Sequence, residues 1–511
     1  MSECELLVGL DIGTTGVKGV VLDPGRGVVA EAWCKQQLLS PQPGWAEMVA
    51  DEWWDGAVDV LRQLLAEPDV EPGRVAAVGV SGMVPALVLL DARGKPLRNS
   101  IQQNDARTTK ELDWWRASVT PDEFFAVTGG SVNQQLIGPK LRWLAEHEPT
   151  VWQATHQIAG SYDYVNYRLT GELGVEANWA LESGLADVHK GTWHWPYVDM
   201  AGLRTEQLPT IRQPSELIGC ITAAAAEATG LRQGTPVIGG AADHVASAFA
   251  AGLIDHGDLN LKFGGAGDIL FCLDTLRSDP RLFIDYHLMP GKYLLNGCMA
   301  TSGSVLKWFV QSWARVSDRT AQRQYQLLDE LAAPLDPSPD SIVLLPYFLG
   351  EKTPLHDPLA RGTMVGLRLH HRTEHIHRAI LEAVVFGFRH HLEVMAELGY
   401  RPGRVVATDG GARSALWRQI AADVLQMPVT YQARHPGSAL GAAFAAGIGA
   451  GIIRDWRAIR QYTEISDTTQ PRATTAAAYD HLYGIYRDLY PALRPIFAAL
   501  AATPDLRHGR D

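Results

Sequence analysis

Apolar and polar positions alternate most clearly near the N-terminus, and much of the chain repeats the pattern set there. Over residues 8–23 (VGLDIGTTGVKGVVLD) an apolar run stops at Asp11, four turn residues follow, and a second run leaves. That pattern predicts a β-hairpin. Residues 28–37 alternate as a further strand, and the Trp-rich stretch 44–64 predicts a loop feeding a helix, with Asp51 as its N-cap. Strands follow at 75–80 and 86–91, the second closed by a turn at 92–95. Residues 110–233 read mainly as helices and connecting loops. Strand, glycine turn and helix then occur in that order twice, over 235–252 and 405–429. Between them lie a polar turn and apolar helix (301–309), a proline-rich surface connection (334–339), a strand (342–345) and a helix starting at Arg372. In the tail, 474–502, Tyr479, Leu482, Ile485, Tyr486, Leu489, Leu493 and Ile496 recur at near-helical spacing, which predicts an amphipathic packing helix.

The first hairpin has a chemistry as well as a shape. Gly13 and Gly16 permit positive φ, Thr14 and Thr15 carry hydroxyls, and successive turn amides can form a concave nest for anionic oxygens. Asp11, at the strand end, is placed to face a metal. A second copy, LKFGGAGDILFCLD at 261–274, aligns without gaps on 10–23. Leu10/Leu261, Gly13/Gly264, Gly16/Gly267, Leu22/Leu273 and Asp23/Asp274 coincide at one fixed offset, as two duplicated lobes would give. Lys262 stands opposite Asp11, so only the first copy brings a carboxylate. Two such hairpins facing each other across a cleft would hold ATP.

Composition narrows the setting. The 511 residues, 46% of them apolar, suit two domains of about 250 residues. A net charge of -12 argues against nucleic-acid binding, which needs basic faces. Cys4, Cys34, Cys220, Cys272 and Cys298 are scattered without a CxxC pair, so reduced thiols in a cytoplasmic protein are expected, and no cysteine metal site. No basic segment followed by an apolar signal core opens the chain, so export is not expected. The uncharged run 437–453 is short and built of Gly and Ala. It suits a buried helix allowing close approach better than a membrane span.

Four further stretches are candidates for chemistry. Asp243 sits where a glycine-turn strand becomes a helix, a favourable place for negative charge. It could serve as a general base toward an acceptor hydroxyl, or simply cap the helix. Residues 101–107 (IQQNDAR) gather amides, a carboxylate and a guanidinium, suited to sugar hydroxyls unless they form a solvated loop. Among the aromatics of 110–233 only Trp179 is assigned any site role. Gly410 and Gly411 offer bare backbone to an adenine or ribose. Two other spellings fail. HRTEH (His371, Glu374, His375) matches a zinc-protease pattern, but His371 lies at a loop edge in a polar region. No strand, GxGxxG and downstream acid occur in dinucleotide-binding order.

Five segments, in order over nearly the whole chain, resemble the FGGY carbohydrate kinases of the actin-like ATPase superfamily. They are LDIGTTGVKGVV, VIGGAADHVASAFAAG, LKFGGAGDILF, RGTMVGLRLHHRTEHIHRAILEAVVFGF, and TDGGARSALWRQIAADVLQMPV with GSALGAAFAAG. The resemblance implies an α/β fold of two ribonuclease-H-like lobes with a cleft between them, closing on Mg-ATP. Lobe 1–252 would carry the sugar site, the first phosphate hairpin and the catalytic aspartate. Lobe 253–511 would carry the second hairpin, the adenosine motif and the C-terminal helix. The resemblance makes Asp243 the catalytic base and Asp11 the metal-side carboxylate. Gly13, Thr14, Thr15 and Lys18 would form one phosphate loop, Gly264 and Gly265 the other, and Gly410, Gly411 and Ser414 the adenosine motif. Met83, Val84, Gln103, Asp105 and Arg107 would join Asp243 around the sugar.

The pattern is nearest to xylulokinase-like members, so a ketopentose such as xylulose is the first expected acceptor. The chain departs from them at three places: Pro85 replaces the histidine of SGQMHG, Gln103 the tryptophan of WNDxR, and Gly265-Ala266 the hydroxyls of GTS. Those departures keep other acceptors open (ribulose, a pentitol, a tetritol or glycerol), together with two non-kinase readings, a nucleotide switch and a silent sugar sensor. The expected partners are a small sugar or polyol, no nucleic acid and no membrane. FGGY relatives are often homodimers, so a homodimer is the expected assembly.

Overall fold

The computed structural model describes residues 5–314 and 321–503. The first hairpin forms as its apolar runs require, β1 (Leu6–Ile12) pairing antiparallel with β2 (Gly16–Asp23) and β2 with β3 (Gly27–Lys35). After α1 (Ala50–Leu65), β4 (Val75–Gly82) lies parallel to β1. The sheet is completed by β5 (Leu217–Cys220) and β6 (Pro236–Ala242), which runs into α2 (Asp243–Ala250), giving the order β5-β6-β4-β1-β2-β3.

A second sheet repeats this plan. Its strands are β7 (Asp258–Phe263), β8 (Gly267–Leu273), β9 (Phe283–Tyr286) and β10 (Tyr293–Met299), then, after α3 (Gly303–Ser312) and α4 (Thr373–Glu397), β11 (Arg404–Thr408). The helix α5 (Ala415–Leu425), β12 (Val429–Arg434), α6 (Ser438–Gly449), β13 (Glu464–Thr469) and α7 (Ala476–Ala501) follow. The order β9-β10-β8-β7-β11-β12-β13 contains the same core as the first sheet: an antiparallel meander flanked by parallel strands. Each sheet is therefore ribonuclease-H-like. In both, the hairpin turn lies at the carboxyl end of the parallel strands, where ligands of α/β sheets are bound.

Several local expectations change. Ile12 pairs with Val17, leaving four turn residues, whereas Phe263 pairs with Gly267, leaving three. The ungapped alignment of the two copies thus loses register by one residue beyond the turn. Neither Gly13 nor Gly16 adopts positive φ. Glycine at 16 is required by close approach, since a Cβ there would lie 2.2 Å from Nε1 of Trp33. Asp51 is not the N-cap of α1. Val49 takes that place, and Asp51 accepts hydrogen bonds from the Tyr164 hydroxyl (2.6 Å) and Arg168 (2.8 Å). In α7, Ile496 faces solvent, while Tyr479, Leu482, Tyr483, Tyr486 and Phe497 are buried.

The uncharged helix α6 is buried, as its composition predicts. It packs on β1, β4 and α2 of the first sheet. Glycines explain the choice: a Cβ at Gly9 would lie 1.9 Å from the Ala439 carbonyl oxygen, and one at Gly79 2.2 Å from that of Ala442. Gly441 similarly lets α6 touch the backbone of Ala246. Backbone thus rests on backbone, at a spacing only glycine permits. Gly9→Ala is expected to destabilise the protein by at least about 1–3 kcal/mol, read as a lower denaturant midpoint.

The crossover between sheets is clasped by two arginines. Arg404 donates to the Gly252 carbonyl (2.5 Å) and to Asp258 (2.9 Å), and Arg460 to Asp255 (2.8 Å) and Asp258 (2.7 Å). Among the described residues no helix is long and apolar enough to cross a membrane.

Candidate active site

The parallel strands of the first sheet end in register. Ile12 pairs with Gly82, and Gly82 with Ala242, so Asp11 near the end of β1 and Asp243 just beyond β6 flank the end of β4, which lies between them. Their charges repel. Burial first, and then the neighbouring Asp243 carboxylate, push Asp11 up to about 6, against the lowering influence of Ser438, Lys18 and Ser81. Asp243 is the first residue of α2, and its Oδ1 accepts the amide of His244 (2.6 Å). The N-cap is Ala242, so Asp243 is not a simple cap and its side chain is 42% exposed.

The second sheet brings its own turn to the same cleft. Lys262 pairs with Thr408, which sets the turn 264–266 beside the turn that carries Gly410 and Gly411. A Cβ at Gly264 would lie 3.2 Å from Oδ2 of Asp409, whereas Gly265 and Gly410 face open space. Gly411 is glycine for another reason, because a Cβ would strike Phe263 and Trp417. Ser414 caps α5 by accepting the Trp417 amide (3.0 Å). Burial disfavours the charge on Lys262, but Asp268 (3.3 Å), Asp409 and Asp243 together raise its pKa. The ammonium thus joins both halves of the cleft.

The residues present fit a triphosphate. Thr15 and Lys18 are exposed at the first turn, and Thr14 is half-buried, its hydroxyl 3.6 Å from the Met83 sulfur. The second turn has no hydroxyl, yet the amides of Ser302, Gly303 and Ser304 hold the Gly264 and Gly265 carbonyls at 2.8–3.1 Å. The buried hydroxyls of Ser302 and Ser304 have no partner among the described residues, and sit there as free donors.

A cavity of about 290 Å³ opens between the sheets, lined by Val84, Gln103, Asp243 and His244 from one side and Lys262, Asp268 and Lys352 from the other. Three of the expected sugar residues, Val84, Gln103 and Asp243, line it, and three do not. Met83 is buried behind Thr14. Asp105 and Arg107 face each other in a buried bidentate pair (2.7 and 2.8 Å), with Arg107 also bonded to Glu47 (2.7 Å) and stacked 3.7 Å over Trp45. Residues 101–107 are therefore not one hydroxyl-binding knot: Gln103 faces the cavity and holds Gln135 (2.8 Å), while Asp105 and Arg107 brace it from within. Trp179 is fully buried, donating to the Ala86 carbonyl (2.8 Å), and has no place at the cavity.

Sequence reasoning missed the charged group beside Asp243. His244 lies 3.1 Å from Asp285 and 3.9 Å from Glu182, and Asn296 donates to Asp285. Burial, followed by the Asp285 charge, holds the Glu182 carboxyl well above its usual range. Only His244 had a signal, its adjacency to Asp243. Glu182 and Asp285 are brought in by the fold. Among the described residues no metal-ligand cluster forms at HRTEH, where His371 and His375 accept the amides of Arg368 and Arg372.

Two ribonuclease-H-like sheets, each presenting a phosphate-sized hairpin turn to one cleft with a carboxylate beside it, define an actin-like ATPase fold built for sugar phosphorylation. Residues 6–250 match the N-terminal domain, and 276–450 the C-terminal domain, of the FGGY family of carbohydrate kinases. The chain belongs to that family, and is an ATP-dependent phosphotransferase acting on a sugar alcohol group. It is 29% identical to the xylulose kinase of Escherichia coli K12, over 96% of this chain and all of that one. It is 30% identical to the L-xylulose/3-keto-L-gulonate kinase of the same organism, over 96% and 98%. The crystal structure of xylulose kinase from Rhodospirillum rubrum matches with a TM-score of 0.91 and 45% identity, over 97% of this chain and 100% of that one.

Proposed function

We propose that this chain transfers the γ-phosphoryl group of ATP to a primary hydroxyl of a ketopentose, xylulose before others, in the cytoplasm. The observation that carries the reading is the position of Asp243, a half-exposed carboxylate in the wall of the cavity shared by both lobes and beside Asp11. There it accepts the acceptor hydroxyl's proton as the oxygen attacks in line. Gly13, Thr14, Thr15 and Lys18 hold the phosphates from one side and Gly264 and Gly265 from the other, with Ser302 and Ser304 supplying the hydroxyls that the second turn lacks. Gly410, Gly411 and the start of α5 receive the adenosine. Mg²⁺ would be held by Asp11 and would spread the charge of the transferred group. Lys262 adds a fixed positive charge between the lobes, and lobe closure excludes water so that hydrolysis does not compete.

Val84 and Gln103 read the acceptor, with Asp105 and Arg107 acting from behind Gln103. The test is a coupled ATP assay over ketopentoses, pentitols, tetritols and glycerol. Xylulose is expected to give the highest kcat/KM. A higher value for another sugar or polyol moves the acceptor, and ATP turnover indifferent to all of them removes the kinase reading.

A further inference from the structure

We infer that the acceptor cavity holds a divalent cation of its own, ligated by Glu182, His244 and Asp285, apart from any metal at Asp11. The three residues come from separate elements: the end of the short helix Ala177–Glu182, the first turn of α2, and β9. Their ligand atoms all lie within 4.8 Å of one another. Nε2 of His244 is 3.1 Å from Oδ2 of Asp285 and 3.9 Å from a Glu182 oxygen. Two donors at right angles and about 2.2 Å from one cation are separated by about 3.1 Å, so one face of a coordination shell is already nearly assembled.

Two further observations point to a ligand. The Asp285 side chain is 1% exposed, and its Oδ1 has no hydrogen-bond partner among the described residues. Nor has Oε1 of Glu182. A buried carboxylate oxygen left without a donor is costly, and a cation removes that cost. The local charge agrees: Glu182, Asp243 and Asp285 surround a single imidazole, and the ammonium of Lys262, which also lines the cavity, is paired with Asp268 at 3.3 Å. The other ring nitrogen of His244, Nδ1, lies 3.4 Å from Oδ1 of Asp243. That is the carboxylate partner a metal-bound imidazole uses to set its tautomer.

Two carboxylates and an imidazole suit Mn²⁺ or Zn²⁺ better than Mg²⁺. All three residues line the cavity, so coordination can be completed by adjacent oxygens of the acceptor. That last role rests on the sugar-kinase reading. Cation binding does not.

The test is Mn²⁺ binding to the full chain without nucleotide, by calorimetry and electron paramagnetic resonance. Wild type and Asp11→Asn are expected to bind one Mn²⁺ that the near-isosteric Glu182→Gln and His244→Ala lose, with at least a tenfold weakening. Circular dichroism on both variants checks that they are folded. No binding by wild type, or equal binding by folded Glu182→Gln, overturns the site. Mn²⁺ bound through Glu182 in a chain that phosphorylates no sugar would uphold the site and refute the kinase reading alone.

Discussion

Asp243→Ala is expected to lower kcat for sugar phosphorylation by about 10²–10⁴-fold, the range a positioned general base contributes. The fold and the KM for ATP should hardly change. The carboxylate stands at the cavity wall, not in the core, and among the described residues it accepts a backbone bond from the neighbouring amide of its own helix, His244. Loss of a negative charge at a helix N-terminus costs only about 0.3–1 kcal/mol. Residual ATPase should survive, because the residues proposed to hold the phosphates are on other elements. Initial rates with saturating xylulose, together with ATP titrations and thermal melts, separate these effects. Turnover equal to wild type would remove Asp243 from the role of base.

Asp11→Asn should have two opposite effects. The metal-dependent rate is expected to fall by about 10²–10³-fold, as when one preorganised electrostatic group is lost from an active site. The melting temperature should rise. Asp11 titrates at about 6 in the folded protein, against an ordinary value of 3.8, because it is buried and faces Asp243. A carboxyl whose folded pKa is raised destabilises the native state once ionised, above the unfolded value, and the destabilisation is complete above about pH 6. It is relieved as pH falls toward 3.8. An amide removes it at neutral pH. The same titration predicts an acid limb in wild-type kcat/KM as pH drops through about 6, shifted to lower pH by added Mg²⁺, since a bound cation favours the carboxylate. Magnesium titrations of Asp11→Asn that match wild type would count against the assignment.

How far the site was readable depended on how local each part is. The two hairpins, the strand and helix leading through Asp243, and the turn at Gly410 are contiguous segments whose residues meet over a short range. They formed where the pattern placed them, except that Gly239 and Gly240, read as a turn, lie inside β6, which runs straight into α2. The one-residue difference between the hairpins was hidden because three turn glycine and alanine residues align as readily as four turn residues until strand pairing counts them. Asp51 looked like a cap because capping residues are also ordinary first-turn residues. The segment 101–107 looked like one surface because composition does not say which polar groups satisfy each other, and Asp105 and Arg107 do.

From sequence alone followed the duplicated plan, the two glycine-bearing hairpin turns, the acidic residues Asp11 and Asp243 at strand ends, and the small-residue character of α6. Tertiary structure alone decided that α6 lies on the first sheet, that Glu182 and Asp285 close around His244, and that Gln103 faces the cavity while its neighbours turn away. The physical reason is range. Periodicity and turn chemistry act over a few residues, whereas a backbone contact such as Gly9 on Ala439 depends on shape complementarity between segments far apart in the chain.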